Sequence, residues 1–133
     1  MFSGIKAILK EFKKRQDAES QKNLVYSQEE TDTGKTWIDG KKIYRKVYQL
    51  GQLPNNTKKE IPADFSNIEN IINMFSQASS SIENTSISLP FINADGSIVS
   101  VYKNLDGFVL ATNVDASQYD KSFVILEYTK TTS

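Results

Sequence analysis

Residues 35–50 read Lys35-Thr36-Trp37-Ile38-Asp39-Gly40-Lys41-Lys42-Ile43-Tyr44-Arg45-Lys46-Val47-Tyr48-Gln49-Leu50. Two alternating runs meet at Asp39-Gly40, a dipeptide that tolerates the positive φ angles of a tight hairpin turn. The stretch therefore predicts a β-hairpin. Its apolar and aromatic side chains are too many for an isolated two-stranded ribbon to bury, so the hairpin must belong to a larger β structure.

Further short runs bounded by turn-forming residues predict strands at 58–61, 87–91, 98–102, 108–112 and 123–128, and a first strand around Leu24, Val25 and Tyr26. Segment 65–78 is ambiguous because its apolar residues also fit a helical stripe. The β-rich surroundings favour a strand through 71–75, followed by a loop over 79–84. The last run is apolar on both faces, which predicts burial on both sides and a central position. About seven or eight short strands with polar turns indicate an all-β antiparallel β-sandwich or jelly-roll-like domain.

The N-terminal segment has a different pattern. Ile5, Ile8, Leu9 and Phe12 fall at i, i+3, i+4 and i+7, which is one stripe of an amphipathic α-helix. Residues 1–22 carry six positive and three negative charges, whereas residues 23–133 carry ten and thirteen. We therefore divide the chain into a helical anchoring or oligomerisation arm at 1–22 and a β domain at 23–133. Because a helix this short is marginal alone in water, its apolar stripe requires a packing partner.

Composition argues against several kinds of chemistry. The chain has no Cys and no His, and 16 basic residues balance 16 acidic ones. Disulfides, thiolate ligands and the usual general base near neutral pH are therefore absent from its side chains. Each Asp that could catalyse also lies beside turn-forming residues, where Asp commonly bonds the backbone. No run of about 18 apolar residues is present to span a membrane. We predict no catalytic, cofactor-binding or metal site, no enzyme activity, no nucleic-acid partner and no membrane insertion.

Aromatic residues are the candidates for surface recognition. Tyr44, Tyr48, Tyr102 and Tyr119 combine an apolar ring with a polar edge, which suits contacts to sugars or proteins. Trp37 has the same property, but we favour a role in anchoring the hairpin in the core or at a subunit interface. The hairpin also carries a basic cluster, Lys41, Lys42, Arg45 and Lys46, and alternating Lys residues can protect an edge strand from unwanted pairing.

The chain resembles small β-sandwich domains of bacteriophage virions, which occur in tail fibres, baseplate receptor-binding proteins and head fibres. The resemblance covers roughly residues 26–131 and rests on the order of four segments: Tyr26-Ser27 with Glu29-Glu30, Thr36-Trp37-Ile38-Asp39-Gly40-Lys41 with Ile43-Tyr44-Arg45-Lys46-Val47, Leu53-Pro54-Asn55-Asn56-Thr57, and Phe123-Val124-Ile125-Leu126-Glu127-Tyr128-Thr129-Lys130. It implies a non-enzymatic virion protein that forms homo-oligomers, in this family trimers.

The N-terminus departs from the family pattern, because only a basic amphipathic helix precedes the β domain. This favours a separately attached spike or head fibre, in which the helix docks to a capsid or tail protein or bundles with copies of itself. The alternative implied by the same resemblance is a carbohydrate-binding tip of a tail fibre or baseplate that contacts a host cell-surface glycan.

Overall fold

The computed structural model describes residues 5–10, 13 and 25–132. In this part of the chain, residues 5–10 and 13 are helical, and the remainder forms two antiparallel sheets. The five-stranded sheet has the order β1-β2-β9-β4-β5, and the four-stranded sheet has the order β3-β8-β7-β6. The strands are β1 Thr31–Thr36, β2 Lys42–Gln49, β3 Lys58–Pro62, β4 Ile68–Ser80, β5 Thr85–Leu89, β6 Phe91–Ile92, β7 Ile98–Lys103, β8 Gly107–Thr112 and β9 Lys121–Lys130. The all-β prediction is confirmed.

The predicted hairpin is present as β1 and β2, with a turn that is longer than the sequence indicated. The Trp37 N–H donates to the Lys41 carbonyl at 2.8 Å, and the Gly40 N–H donates to the Trp37 carbonyl at 2.9 Å. Gly40 has a φ of 88°, which the missing Cβ permits. Trp37 and Ile38 therefore lie in the turn instead of in a strand, Trp37 half-buried and Ile38 exposed.

The last strand is central, as predicted, because β9 lies between β2 and β4. Val124, Leu126 and Tyr128 point into a core that also contains residues of the four-stranded sheet, among them Phe108 and Leu110. The two sheets thus share one interior. The burial expected on both faces of this strand is incomplete, since Phe123 and Ile125 on the outer face are only half-buried.

Segment 65–78 is mainly strand, and its helix-like spacing has a structural cause. The register between β4 and β9 shifts between Ile68 and Asn70 and again between Ile71 and Asn73. Each irregularity adds a residue to β4, as a β-bulge does, so core-contacting residues recur at an interval of three instead of two. The strand also continues to Ser80, which shortens the predicted loop to the turn at 81–84.

Two smaller predictions need correction. Val25 and Tyr26 are exposed and not in a strand, so the first strand begins later, at Thr31; Leu24 lies outside the described residues. The hairpin lysines do not protect an edge on β2, because β2 is paired on both sides. Within the described ranges, no helix is long and apolar enough to cross a membrane.

Candidate functional site: a polar cleft beside β2 and β9

A cleft of about 250 Å³ opens beside the inner faces of β2 and β9. It combines charged side chains with aromatic rings and backbone turns, and we call it the polar cleft. Its lining residues are Glu30, Lys46, Tyr48, Asp64, Ser66, Asn67, Ile68, Tyr128 and Lys130. The cleft therefore draws on the segment before β1, on β2, on the connection from β3 to β4, and on β9.

Strand alternation explains how a lysine enters this site. Tyr44, Lys46 and Tyr48 occupy alternate positions of β2, and they lie opposite Tyr128, Leu126 and Val124 of β9. Lys46 therefore faces the inner side of the sheet, where an apolar residue is the usual choice. Its ammonium group lies 5.1 Å from the centroid of the Tyr48 ring, a distance that allows a cation–π contact.

A hydrogen-bonded network forms one wall of the cleft. The Tyr128 hydroxyl donates to Glu30 Oε1 at 2.6 Å, and Lys130 Nζ donates to Glu30 Oε2 at 2.5 Å. Burial alone would raise the pKa of Glu30, but hydrogen bonds from Lys130 and Tyr128 and the nearby Lys46 outweigh it and lower the pKa. Burial, reinforced by the hydrogen bond to Glu30, raises the pKa of Tyr128. The carboxylate is thus held ionised and the phenol protonated.

Tyr48 and Asp64 also line the cleft, and aromatic packing and a turn hold them in place. The Tyr48 ring lies 5.0 Å from the Phe108 ring and 5.9 Å from the Phe65 ring, centroid to centroid. Burial, with smaller effects of Glu30 and Asp64, raises the pKa of Tyr48 to about 12. Asp64 Oδ1 accepts the Ser66 N–H at 2.9 Å, and this backbone hydrogen bond is the main cause of a lowered Asp64 pKa.

These groups suit binding better than proton transfer. Efficient general acid–base catalysis needs a pKa near the working pH. In the cleft, the carboxyl pKa values of Glu30 and Asp64 are shifted down, and the phenol pKa values of Tyr48 and Tyr128 are shifted up. The site therefore offers fixed donors, fixed acceptors and aromatic surface. Among residues 5–10, 13 and 25–132, no group of three or more His, Cys, Asp or Glu side chains is arranged to hold a metal ion.

The structure brings together two of the four predicted recognition tyrosines. Tyr48 lines the polar cleft, and Tyr44 adjoins it, because its ring stacks on Tyr128 at 6.4 Å and lies 4.6 Å from Lys130 Nζ. Tyr102 lies on β7 of the other sheet and is 44% exposed, and Tyr119 packs half-buried against the core. Neither of these two lines the cleft.

The predicted helical stripe is exposed where the structure describes it. Ile5, Ile8 and Leu9 are 53%, 70% and 61% exposed, respectively. Phe12, the fourth member of the stripe, lies outside the described residues.

Sequence reasoning missed most of the cleft. A signal existed for Lys46, a charged residue that interrupts the alternating apolar positions of Tyr44 and Tyr48. No local signal links Glu30 with Lys130, because 100 positions separate them and only the strand pairing places them together.

Fold and cleft define an all-β chain with two antiparallel sheets, a short N-terminal helix and a partly buried polar cleft. Comparisons with protein-family models, with curated proteins and with solved structures return no match.

Proposed function

We propose that the protein is a non-enzymatic structural component of a bacteriophage virion, a jelly-roll-like β-sandwich that serves as an oligomeric head fibre or short tail or baseplate fibre. The observation that carries this proposal is the exposed stripe of Ile5, Ile8 and Leu9 on a helix joined to a compact β body. A short amphipathic helix gains most of its stability from packing its apolar face. Its stripe is therefore an attachment surface for protein, in the virion or in another copy.

Charge supports a protein partner for this arm. The arm's excess of basic residues is small, six against three, and the whole chain is neutral. Strong non-specific binding to nucleic acid or to an anionic membrane surface depends on a concentrated positive field, which Glu11, Asp17 and Glu19 dilute in this arm. Lys6, Lys10 and Lys13 are exposed on the same helix as the apolar stripe. A modest positive charge beside apolar side chains suits binding to an apolar protein surface that is bordered by acidic residues.

The test is incorporation into particles. Virions are purified from cells that produce the chain with Ile8→Ser and Leu9→Ser together, or with the matched control Ile82→Ser, which removes a side chain that is 90% exposed on the body. We expect the chain in wild-type and control particles by quantitative mass spectrometry, and its loss from particles of the double variant. Absence of the chain from wild-type particles would overturn the proposal.

The second candidate is recognition of a host cell-surface glycan, and the polar cleft favours it. Sugars are bound by hydrogen bonds to their hydroxyls together with contacts between aromatic rings and their apolar faces. The cleft offers both kinds of contact, with Lys46 and Asp64 as polar groups and Tyr48 as an aromatic surface. In an oligomer, several weak contacts of this kind to a repetitive glycan would add up.

A matched pair of variants tests this candidate. Asp64→Asn changes a cleft carboxylate, whereas Asp95→Asn changes a carboxylate in an exposed turn away from the cleft. Both accept the backbone N–H two residues ahead at 2.9 Å, so their local turns are alike. On a glycan array, we expect wild type and Asp95→Asn to bind the same glycans and Asp64→Asn to lose at least tenfold in affinity. An array with no bound glycan, or equal binding by all three proteins, would remove this candidate.

A further inference from the structure

The outer face of the five-stranded sheet carries an apolar cluster, which we call the outer patch: Val47, Phe75, Phe123 and Ile125. Val47 lies directly opposite Ile125, and Ile125 lies directly opposite Phe75, so these three form one row across β2, β9 and β4. Phe123 extends the patch by one further row along β9. None of the four residues belongs to the shared core or packs against it.

The outer patch is open in the single chain. Phe75 is 56% exposed, and the other three side chains are half-buried. A shallow groove of about 400 Å³ adjoins the patch and is lined in part by Val47, Phe123 and Asp120. Contiguous exposed apolar side chains of this kind mark interaction sites in soluble proteins.

The chain also carries a second open apolar surface, which is short enough to fit across the outer patch. A row across three strands spans about 10 Å, because neighbouring strands lie about 4.8 Å apart. On the helix, Ile5 and Leu9 lie about 6 Å apart along the axis at 1.5 Å per residue. The stripe of Ile5, Ile8 and Leu9 is therefore short enough to pack across three neighbouring strands.

Charge is complementary at the level of whole segments. The arm of residues 1–22 has three more basic than acidic residues, and residues 23–133 have three more acidic than basic residues. Lys6 and Lys10 are exposed on the helix. On the body, Glu127 lies in the row beside Ile125 and opposite Arg45, and both Asp120 and Lys121 line the adjoining groove. The borders of the patch therefore carry charges of both signs, and the complementarity is that of the whole segments.

The arm joins the body at the edge of this face. The Val47 N–H donates to the Ser27 carbonyl at 2.9 Å, and the Arg45 guanidinium lies 4.2 Å from the centroid of the Tyr26 ring. Eleven residues separate Lys13 from Val25 and can reach at most about 40 Å when extended. A helix tethered beside one patch can therefore reach the same patch on an adjacent copy.

We propose that the outer patch binds the N-terminal helix of a second copy of this chain. The helix does not cover the patch of its own chain, since the stripe and Phe75 are both more than half exposed. Each copy then places its helix on one neighbour and binds the helix of another. Such a heterologous interface forms a closed dimer or ring when the rotation between neighbouring copies closes. The inference does not depend on a role in virions, because it uses only these two surfaces.

Sedimentation velocity on the full-length protein gives the first test. We expect an oligomer for wild type, a monomer for Ile8→Ser and for Phe75→Ser, and an oligomer for the control Ile82→Ser. Unchanged circular dichroism spectra establish that the variants are folded, which the exposure of Ile8 and Phe75 leads us to expect. A monomeric wild type would overturn the proposal. So would an oligomer that Ile8→Ser disrupts and Phe75→Ser does not, since helices would then bundle without the patch.

Disulfide trapping separates exchange between copies from docking within one chain. The chain has no cysteine, so introduced thiols are the only ones present. Lys10→Cys with Gln77→Cys places one thiol on the helix and one opposite Phe123 at the patch. Lys10→Cys with Asn93→Cys is the control, because Asn93 lies in the turn that follows β6 of the other sheet. After mild oxidation, we expect covalent dimers or larger rings for the first pair only. Cross-linked monomer alone, or equal cross-linking by the control, would overturn the proposal.

Discussion

Tyr128→Phe removes one oxygen atom from the wall of the polar cleft and leaves the ring in place. The side chain is 3% exposed, and its hydroxyl donates to the ionised Glu30 at 2.6 Å. Hydrogen bonds to charged groups contribute about 1.5–3 kcal/mol. Because Lys130 still neutralises Glu30 in the variant, we expect the free energy of unfolding at pH 7 to fall by about 1–2 kcal/mol, toward the lower end of that range.

The same substitution has a distinct signature at high pH. Burial and Glu30 hold the pKa of Tyr128 above its ordinary value of 10.0, so the native state keeps a proton that the unfolded chain releases. This contribution to stability is fully present below pH 10 and is lost as the pH rises above it. Each pH unit in that window costs about 1.4 kcal/mol for one such group. Tyr48, with its pKa raised to about 12, adds a second contribution that the variant retains.

Urea unfolding at pH 8, 10 and 11 measures both effects. Between pH 10 and 11, we expect wild type to lose up to about 1.4 kcal/mol more than Tyr128→Phe, since Tyr48 and Lys130 contribute equally to both proteins. Tyr102→Phe is the control, because its ring is 44% exposed on the other sheet and its stability should change by less than about 0.5 kcal/mol. Parallel pH curves for wild type and Tyr128→Phe would refute the network.

Three further predictions concern the sheets and the acid side of the pH range, all measured by urea or thermal unfolding. Gly107→Ala should cost more than about 2 kcal/mol, because its Cβ would lie near Pro62 and within 2.1 Å of the Ile61 carbonyl oxygen on the paired strand β3; a neutral result would contradict that close approach. Leu126→Ala should cost about 2–5 kcal/mol, because the side chain is fully buried in β9, whereas Ile82→Ala on the surface should stay within about 0.5 kcal/mol. Glu30→Gln should flatten the acid side of the stability curve, because a carboxyl pKa below 4.5 stabilises the native state above that pH and loses the effect as the pH falls through the native pKa; an unchanged acid slope would exclude this role of the ion pair.

The spacing of apolar residues and the turn-forming residues predict those strands whose positions depend on their own sequence. Alternation and the Asp39-Gly40 turn were enough for the hairpin, and apolar runs with polar turns were enough for β7, β8 and the central β9. The pattern of β4 is ambiguous because its two register shifts space the core-facing residues three positions apart, whereas a regular strand spaces them two apart. Such shifts depend on the partner strand, which sequence alone does not identify.

The remaining features depend on contacts across the whole chain. Glu30 and Lys130 meet because β1, β2 and β9 are neighbours in the sheet. The sequence around either residue does not predict the ion pair. Phe123 and Ile125 predicted burial on the outer face of β9, and the single chain leaves that face half-open. Alternating apolar residues in a strand indicate that one face of the sheet becomes buried. They do not indicate whether the residues that bury it belong to the same chain or to another copy.

In the function proposed above, this chain holds and recognises partners through the surfaces of a two-sheet body and its attached helix. An image of the purified virion at side-chain resolution would show these contacts. We predict copies of the two-sheet body on the particle, with the stripe of Ile5, Ile8 and Leu9 and the outer patch both covered by protein. Particles that lack the chain, or that carry it with both surfaces bare, would contradict the claim.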